Sequence, residues 1–150
     1  ENPTEITIAG RSIGPAHPPY VIAELSANHN GDIERALEVM RHAAKAGASA
    51  IKLQTYTPDT MTIDCDSDCF RVRKTIWAGT RLYDLYGEAY TPWEWQPKLK
   101  AIADGLGVPL FSTPFDHTAV DFLEEMDVPA YKIASFEIVD LPLIRRVAET

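Results

Sequence analysis

The chain has 150 residues, of which 45% are hydrophobic and 24% charged, and its formal net charge at pH 7 is −8. This composition predicts a globular domain with a core, and the acidic balance argues against a nucleic-acid or acidic-membrane surface, since both require clustered Lys and Arg. No apolar run approaches the roughly 18 residues of a membrane helix and the first residues do not resemble a signal peptide, so we expect a cytoplasmic protein.

Hydrophobic periodicity predicts a hairpin and then a β-α-β unit in the first third of the chain. Polar and apolar residues alternate on both sides of Ala9-Gly10, which is typical of a hairpin. Short apolar runs indicate strands, and apolar residues at helical spacing indicate a helix. In chain order we expect a hairpin over 5–13, a buried parallel strand over 21–24, a helix over 32–45 with Asn30 as its N-cap and Gly47 at its end, and a strand over 50–56.

The second half repeats the strand-helix pattern after a long irregular segment over 57–90, in which only a short helix near 80–86 is indicated. Thr91-Pro92-Trp93-Glu94 is typical of a capping box, with an N-cap residue, a proline and a glutamate. The elements predicted here are a helix over 92–106 ended by Gly107, a strand over 108–115 closing in a Ser112-Thr113-Pro114 turn, a helix over 117–126 capped by Asp116, a strand over 128–135 and a helix over 140–150.

Four strands that are each followed by a helix predict an α/β fold with a parallel sheet. The pattern fits the N-terminal half of a (β/α)8 TIM barrel, with the small hairpin covering one end, and it also fits a compact doubly wound sheet. Because the chain starts without Met and shows no closing signal after Thr150, we expect residues 1–150 to be the N-terminal part of a longer protein. The sheet edges would then need covering.

Cys65 and Cys69 lie four residues apart in an acidic segment. In a cytosolic chain we expect both to be reduced, and no second cysteine pair or nearby histidine completes a zinc site. Asp64, Asp66 and Asp68 begin like a calcium loop, but the Gly and Glu that such a loop needs are replaced by Cys69 and Thr75. The segment therefore predicts a solvated acidic loop.

Each predicted strand carries polar residues near its carboxyl end, where parallel α/β folds place their ligands. These residues are Glu24 on the first strand, Lys52 and Gln54 on the second, Ser112 and Thr113 on the third, and Lys132, Ser135 and Glu137 on the fourth. Two lysines converging beside hydroxyl groups predict a pocket for a phosphate and a carboxylate. Alternatively, the lysines could be structural partners of Glu24 and Glu137, or one lysine could form a Schiff base.

Four segments, in order, resemble the sialic acid synthase family. They are VIAELSANHNG (residues 21–31), AGASAIKLQTY (46–56), FSTPF (111–115) and YKIASFE (131–137). The resemblance covers nearly the whole chain, and Leu-Ser-Ala before Asn28 together with YTPWEW (90–95) is most similar to the pseudaminic acid synthase branch. The resemblance implies a TIM barrel followed by a small antifreeze-like domain in a homodimer.

The resemblance also implies an activity, the condensation of phosphoenolpyruvate with an N-acetylated amino-sugar aldehyde to give a nonulosonic acid and phosphate. It further implies a divalent metal, Mn²⁺ or Mg²⁺, with ligands on later strands and none among residues 1–150. Transferred by motif, the roles are Glu24 as the catalytic acid/base, Lys52, Thr113, Lys132 and Ser135 as phosphoenolpyruvate-binding residues, and Gln54, Glu137, Asn28 and His29 as sugar-binding residues at the mouth of the site.

The resemblance thus implies a synthase that acts on 2,4-diacetamido-2,4,6-trideoxy-altrose, and three alternatives remain. N-acetylneuraminate and legionaminate synthases differ from it only in the sugar. A Schiff-base aldolase would use Lys132 as its nucleophile. The last alternative is an inactive interaction fragment.

Overall fold

The computed structural model describes residues 4–150, which contain two small sheets, six α-helices and three short 3-10 helices. The strands are β1 (Ile6–Ile8), β2 (Arg11–Ile13), β3 (Ile22–Glu24), β4 (Ala50–Thr55) and β5 (Leu110–Pro114). The α-helices are α1 (Ile33–Lys45), α2 (Pro58–Met61), α3 (Leu82–Ala89), α4 (Gln96–Gly105), α5 (His117–Glu125) and α6 (Leu141–Ala148).

The N-terminal hairpin is confirmed, with β1 and β2 paired antiparallel. Ala9 and Gly10 form its turn with φ of 48° and 78°, the left-handed region that tight hairpin turns require. The Arg11 guanidinium donates to Ser49 Oγ at 2.6 Å and to the Pro19 carbonyl at 3.2 Å. This side chain therefore ties the hairpin to the segments that precede β3 and β4.

The second sheet has the order β3-β4-β5, and all of its strands are parallel. The helix α1 connects β3 to β4, and α4 precedes β5, so the predicted β-α-β unit is confirmed. One core cluster joins the sheet to both helices. Its largest fully buried members are Leu25 and Met40 from the first unit, Ile51 and Leu53 from β4, and Leu99 and Leu110 from α4 and β5.

The strand β3 is parallel as predicted, but it is not buried. Among the described residues its one neighbour in the sheet is β4, and Val21 and Ile22 are 56% and 43% exposed. An edge strand with apolar residues on its open side is a surface that another segment can cover.

The helix α1 is capped by Asp32 and not by Asn30, so the predicted cap was wrong. The Asp32 side chain accepts a hydrogen bond from the Glu34 amide at 2.9 Å. Asn30 and Gly31 instead have φ of 48° and 71° and form the turn before the helix. Asn tolerates this left-handed conformation better than most residues, which explains its presence in the turn.

The predicted capping box at Thr91 was also wrong. A short 3-10 helix, Trp93–Trp95, precedes α4, and no side chain caps either element. The Thr91 hydroxyl contacts His29 Nε2 at 3.2 Å instead. A tertiary hydrogen bond has thus replaced the local cap that the sequence pattern favours.

Two predictions about the third and fourth strands need correction. Ser112 and Thr113 lie within β5, which extends to Pro114, and do not form a turn. The strand expected over 128–135 is reduced to a single parallel bridge between Ser112 and Tyr131. The Asp116 cap of α5 is confirmed, and Asp140 caps α6 by accepting from the Leu143 amide.

The segment over 57–90 contains more structure than the sequence predicted. It holds α2, a 3-10 helix over Asp68–Phe70 and α3. Arg81 pairs with Asp64 and Asp84 at 2.6 Å, and Arg71 pairs with Asp66. Both cysteines are free thiols. The predicted exposed acidic loop is confirmed, with its carboxylates partly neutralised by two arginines.

Candidate active site at the carboxyl ends of the strands

Side chains from all three parallel strands meet at their carboxyl ends. Glu24 and Lys52 are register partners on β3 and β4, and Gln54 is the partner of Thr113 on β5. Lys52 Nζ forms an ion pair with Glu24 Oε2 and donates to Thr113 Oγ1 at 3.3 Å. The lysine side chain is 11% exposed and that of Glu24 is 38% exposed. The result is a largely buried cation between a solvated carboxylate and a buried hydroxyl group.

Buried and partly buried side chains alternate along β4, which shows on which face of the sheet Lys52 and Gln54 lie. Ile51, Leu53 and Thr55 are buried, and the first two belong to the core shared with α1 and α4. Successive side chains of a strand point to opposite faces, so Lys52 and Gln54 lie on the face away from those helices. A ligand that approaches this face meets a cation, an amide and hydroxyl donors together.

The turn after β3 is joined to β4 through Gln54. Ser26 Oγ donates to Gln54 Oε1 at 3.3 Å, and Ser26 has a φ of 48°, which is unusual for a residue other than glycine. Asn28 is exposed, and its amide donates to the Leu25 carbonyl at 2.9 Å. Asn28 is thus available at the surface of the turn, while Gln54 still has its amide NH₂ free to donate.

His29 occupies a different position from the one the sequence suggested. It is fully buried, and its Nδ1 accepts from the Gly31 amide at 3.0 Å. Burial lowers the pKa of His29, which favours the neutral ring. The side chain therefore lies beneath the strand ends and does not face the opening of the site.

The segment over 131–137, which contains Lys132, Ser135 and Glu137, lies along the edge of β5. The Lys132 amide donates to the Ser112 carbonyl at 3.0 Å, and the side chains of Lys132 and Ser135 are exposed. Glu137 Oε2 is buried and has no hydrogen-bond partner among residues 4–150. Of the two predicted lysine–glutamate pairs, the one between Lys52 and Glu24 is therefore formed, whereas this oxygen of Glu137 is left for another donor.

An open cleft of about 620 Å³ lies between the turn after β3 and α3, and Glu24, Lys52 and Thr113 are not among its lining residues. Ala27, Asn30 and Gly31 form one wall, and Trp77 and Glu88 belong to the other. Trp77 is 44% exposed. The cleft thus joins the segment over 57–90 to the turn that follows Glu24.

Chemically, the site can bind an anion and move a proton. Lys52 and the Thr113 hydroxyl are suited to a carboxylate or phosphate, and Glu24 is a carboxylate in contact with solvent. Within residues 4–150, no group of three or more His, Cys, Asp or Glu side chains could hold a metal ion. No helix in the same range is both long and apolar enough to cross a membrane.

Sequence reasoning missed three buried polar residues behind the site, namely Thr55, Thr91 and Gln96. The Thr55 hydroxyl donates to Gln96 Oε1 at 2.8 Å, and Gln96 Nε2 donates to the Thr91 carbonyl at 3.3 Å. A signal was present, because Gln96 shares a helical face with buried Leu99 and Ala103. A polar residue on an apolar face needs a buried partner.

The family model of the NeuB family matches residues 39–150. The chain is 47% identical over 133 residues to a pseudaminic acid synthase of Helicobacter pylori, a match that covers 89% of this chain and 39% of that protein. It is 46% identical over 130 residues to the pseudaminic acid synthase of Campylobacter jejuni, covering 87% of this chain and 38% of that protein. This chain thus spans less than half the length of these relatives.

A solved structure is also similar over nearly the whole chain. The N-acetylneuraminic acid synthetase of Leptospira borgpetersenii superimposes with a TM-score of 0.81 at 30% sequence identity. The match covers 97% of this chain and 46% of that protein. The α/β fold with its parallel sheet is therefore shared with a sialic acid synthetase.

Proposed function

The chain belongs to the NeuB family, and from this we propose that it is the N-terminal part of a synthase that condenses phosphoenolpyruvate with an N-acetylated amino-sugar aldehyde. The sugar that we propose is 2,4-diacetamido-2,4,6-trideoxy-altrose, which would give pseudaminic acid and phosphate. The observation that carries this choice is the gradient of identity: 45–47% to three pseudaminic acid synthases, against 31% to a legionaminic acid synthase and 29% to an N-acetylneuraminate-9-phosphate synthase.

The proposal includes the fold of the longer protein. Three parallel strands backed by helices, together with the match to the Leptospira structure, favour the N-terminal half of a TIM barrel. In a closed barrel the open edge of β3 would pair with a later strand, so its exposed apolar residues would be covered. An antifreeze-like domain and a homodimer complete the proposal, as does a cytoplasmic location, where phosphoenolpyruvate is made.

Phosphoenolpyruvate would be held through both of its anionic groups. Lys52 would meet the carboxylate, exchanging its ion pair with Glu24 for one with the ligand. Thr113, Lys132 and Ser135 would hold the phosphate, and Lys132 and Ser135 are exposed and free to turn towards it. Charge-assisted hydrogen bonds of this kind are about twice as strong as neutral ones.

The sugar would lie on the other side of the enol group. Gln54 has free amide protons, and the unpartnered Glu137 Oε2 would accept from a sugar hydroxyl or amide. Asn28, exposed at the turn, completes this set. His29, which the resemblance places in the same group, would support the turn from beneath because it is buried.

Glu24 is the proposed acid/base. Attack of the enol carbon on the aldehyde develops positive charge on the carbon that bears the phosphate, and a carboxylate close to that carbon stabilises it. Glu24 would then accept a proton from the water that adds there and pass a proton to the alkoxide formed from the aldehyde. The adduct would collapse to the ketone as its new hydroxyl group loses its proton to the departing phosphate, with cleavage of the C–O bond. The exposure of Glu24 to solvent supports this role.

The Mn²⁺ or Mg²⁺ that the resemblance implies does not fit the described residues alone. Residues 4–150 bring no three ligating side chains together, so we derive no step through a metal. The proposed ligands lie in the longer protein, beyond this chain.

The test is phosphate release from phosphoenolpyruvate by the full-length protein carrying this chain, assayed with Mn²⁺. We expect release with the 6-deoxy diacetamido altrose and not with N-acetylmannosamine. Release with N-acetylmannosamine alone would contradict the choice of sugar and keep the class of reaction. Release with neither sugar, together with a borohydride-trapped adduct of a keto acid on Lys132, would replace the proposal with the Schiff-base aldolase.

A further inference from the structure

A single hydrogen-bonded network connects buried polar side chains behind the strand ends. Of the polar side chains that are buried in residues 4–150, all but Thr113 belong to it. They come from the turn after β3, from β4, from β5, from α4, and from a position two residues before the 3-10 helix. The members are His29, Thr55, Thr91, Gln96 and Ser112.

At the His29 end of the network, the hydrogen bonds fix which ring nitrogen carries the proton. His29 Nδ1 accepts from the Gly31 amide at 3.0 Å. The neutral ring must then carry its proton on Nε2, which donates to Thr91 Oγ1 at 3.2 Å. A protonated ring would place an Nδ1 proton against the Gly31 proton, so the contact selects one tautomer.

The donors of the hydrogen bonds at Thr55 and Ser112 are determined in the same way. Thr55 gives its only hydroxyl proton to Gln96 Oε1 at 2.8 Å, so the 2.7 Å contact with Ser112 must be donated by Ser112. Gln96 Nε2 donates to the Thr91 carbonyl at 3.3 Å. Both branches therefore converge on Thr91, and Gln96 links β4 and β5 to it.

Two members of the network are covalently next to proposed substrate-binding groups. Thr55 follows Gln54, and Ser112 precedes Thr113. Adjacent residues of a strand face opposite sides, so the network acts on the helix side while its neighbours face the ligand. His29 lies in the turn that follows Glu24.

We propose that this network positions the active site. Gln96 and Thr55 fix the positions of the carboxyl ends of β4 and β5 relative to each other, and His29 fixes the turn after Glu24. The inference rests on the proposed function, because the groups to be positioned are those of the synthase. None of the network residues would touch the substrate. The network therefore affects turnover through geometry, where a small misplacement of reacting groups is costly.

The test compares Thr55→Val with Thr55→Ser in the full-length protein. Valine keeps the shape and removes the hydroxyl, whereas serine keeps the hydroxyl. Leu99→Val on α4 is the matched control, because Leu99 is fully buried and lies outside the network. The midpoint of thermal unfolding is measured for each variant, so that a loss of stability is separated from a displacement of the substrate-binding side chains.

We expect Thr55→Val to lower kcat about tenfold with less effect on the KM for phosphoenolpyruvate, since misplaced groups slow the reaction more than they weaken binding. Thr55→Ser should restore kcat to within about twofold of the parent, because it restores the donor and acceptor. Leu99→Val should leave kcat unchanged. Equal kcat in Thr55→Val and Leu99→Val would overturn the proposal.

A second readout does not depend on activity. Amide hydrogen exchange at Gly31, followed in a peptide that covers residues 25–31, reports the far end of the network. We expect Thr55→Val to accelerate this exchange by about tenfold and Leu99→Val to leave it unchanged, since loss of one buried hydrogen bond loosens those coupled to it.

The two readouts separate two failures. If the parent releases no phosphate with any sugar, the proposed function fails, and the exchange measurement alone decides on the network. Unchanged exchange at Gly31 in Thr55→Val would then refute the coupling, and faster exchange would support it.

Discussion

Replacing Lys52 with methionine separates a functional lysine from a structural one. Methionine has nearly the same length and lacks the charge, and Lys52→Arg serves as the charge-preserving control. In the structure Lys52 contacts the Glu24 carboxylate and the Thr113 hydroxyl and is 11% exposed. If these contacts served only the fold, the variant would lose stability and not affinity for phosphoenolpyruvate.

The structure predicts a small loss of stability. Without Lys52, Glu24 is left with its side chain 38% exposed, so water can solvate the carboxylate. Because the carboxylate that remains is in contact with water, the cost of losing the pair in this direction is about 1 kcal/mol or less. The reverse change, Glu24→Leu, should be worse, because it leaves a largely buried cation unpaired.

The predicted loss of affinity is much larger. A hydrogen bond to a charged group contributes about 1.5–3 kcal/mol, which corresponds to about a 10- to 150-fold rise in the dissociation constant of phosphoenolpyruvate. Titration calorimetry with the full-length protein measures it, and thermal unfolding measures the stability. Binding of phosphoenolpyruvate by Lys52→Met with the affinity of the parent would refute the role of Lys52.

Three further predictions concern catalysis, a helix cap and pH. Glu24→Gln keeps the shape and an acceptor for Lys52, so phosphoenolpyruvate should still bind in calorimetry while turnover falls by about 100-fold or more; normal turnover would contradict the acid/base assignment. Asp116→Ala removes the acceptor of two amides at the start of α5 and should cost about 1 kcal/mol in denaturant unfolding, whereas Asp116→Asn should restore most of it. Burial lowers the pKa of His29, so its contribution to stability is complete above the unfolded value of about 6.5 and is lost as the pH falls towards the folded value. The free energy of unfolding, measured at pH 7.5 and at pH 5, should therefore change less with pH in His29→Gln than in His42→Gln, the matched variant at an exposed histidine. An equal change in both variants would count against a buried neutral ring.

The local sequence pattern was sufficient to predict the elements with a strong hydrophobic periodicity. The hairpin turn at Ala9-Gly10 and the helix α1 follow from alternation and helical spacing, which depend on nearby residues only. The convergence of Glu24, Lys52 and Thr113 could also be predicted. It needs only the rule that the carboxyl ends of parallel strands lie along one edge of the sheet.

The failures have tertiary causes. Thr91 has the sequence context of a cap, but a buried histidine 62 residues away needed a partner. The segment over 128–135 has the composition of a strand, yet among the described residues it pairs with β5 through one bridge only. Asn30 and Asp32 are both good caps, and the left-handed turn before α1 determined which of them serves.

The buried network could not be derived from spacing. Its bonds from Thr55 to Gln96 and to Ser112 join residues 41 and 57 positions apart. Only the polar residue on the apolar face of α4 pointed to it. Such polar groups are ambiguous in a sequence, because a buried partner and a substrate satisfy the same requirement.

We propose that this chain belongs to an enzyme that joins phosphoenolpyruvate to a sugar with cleavage of the C–O bond. The most direct measurement uses phosphoenolpyruvate with ¹⁸O in the oxygen that bridges carbon and phosphorus, incubated with the full-length protein, Mn²⁺ and the diacetamido altrose. We expect the released phosphate to carry the label and release to stop when the sugar is left out. Unlabelled phosphate, or release without the sugar, would contradict it.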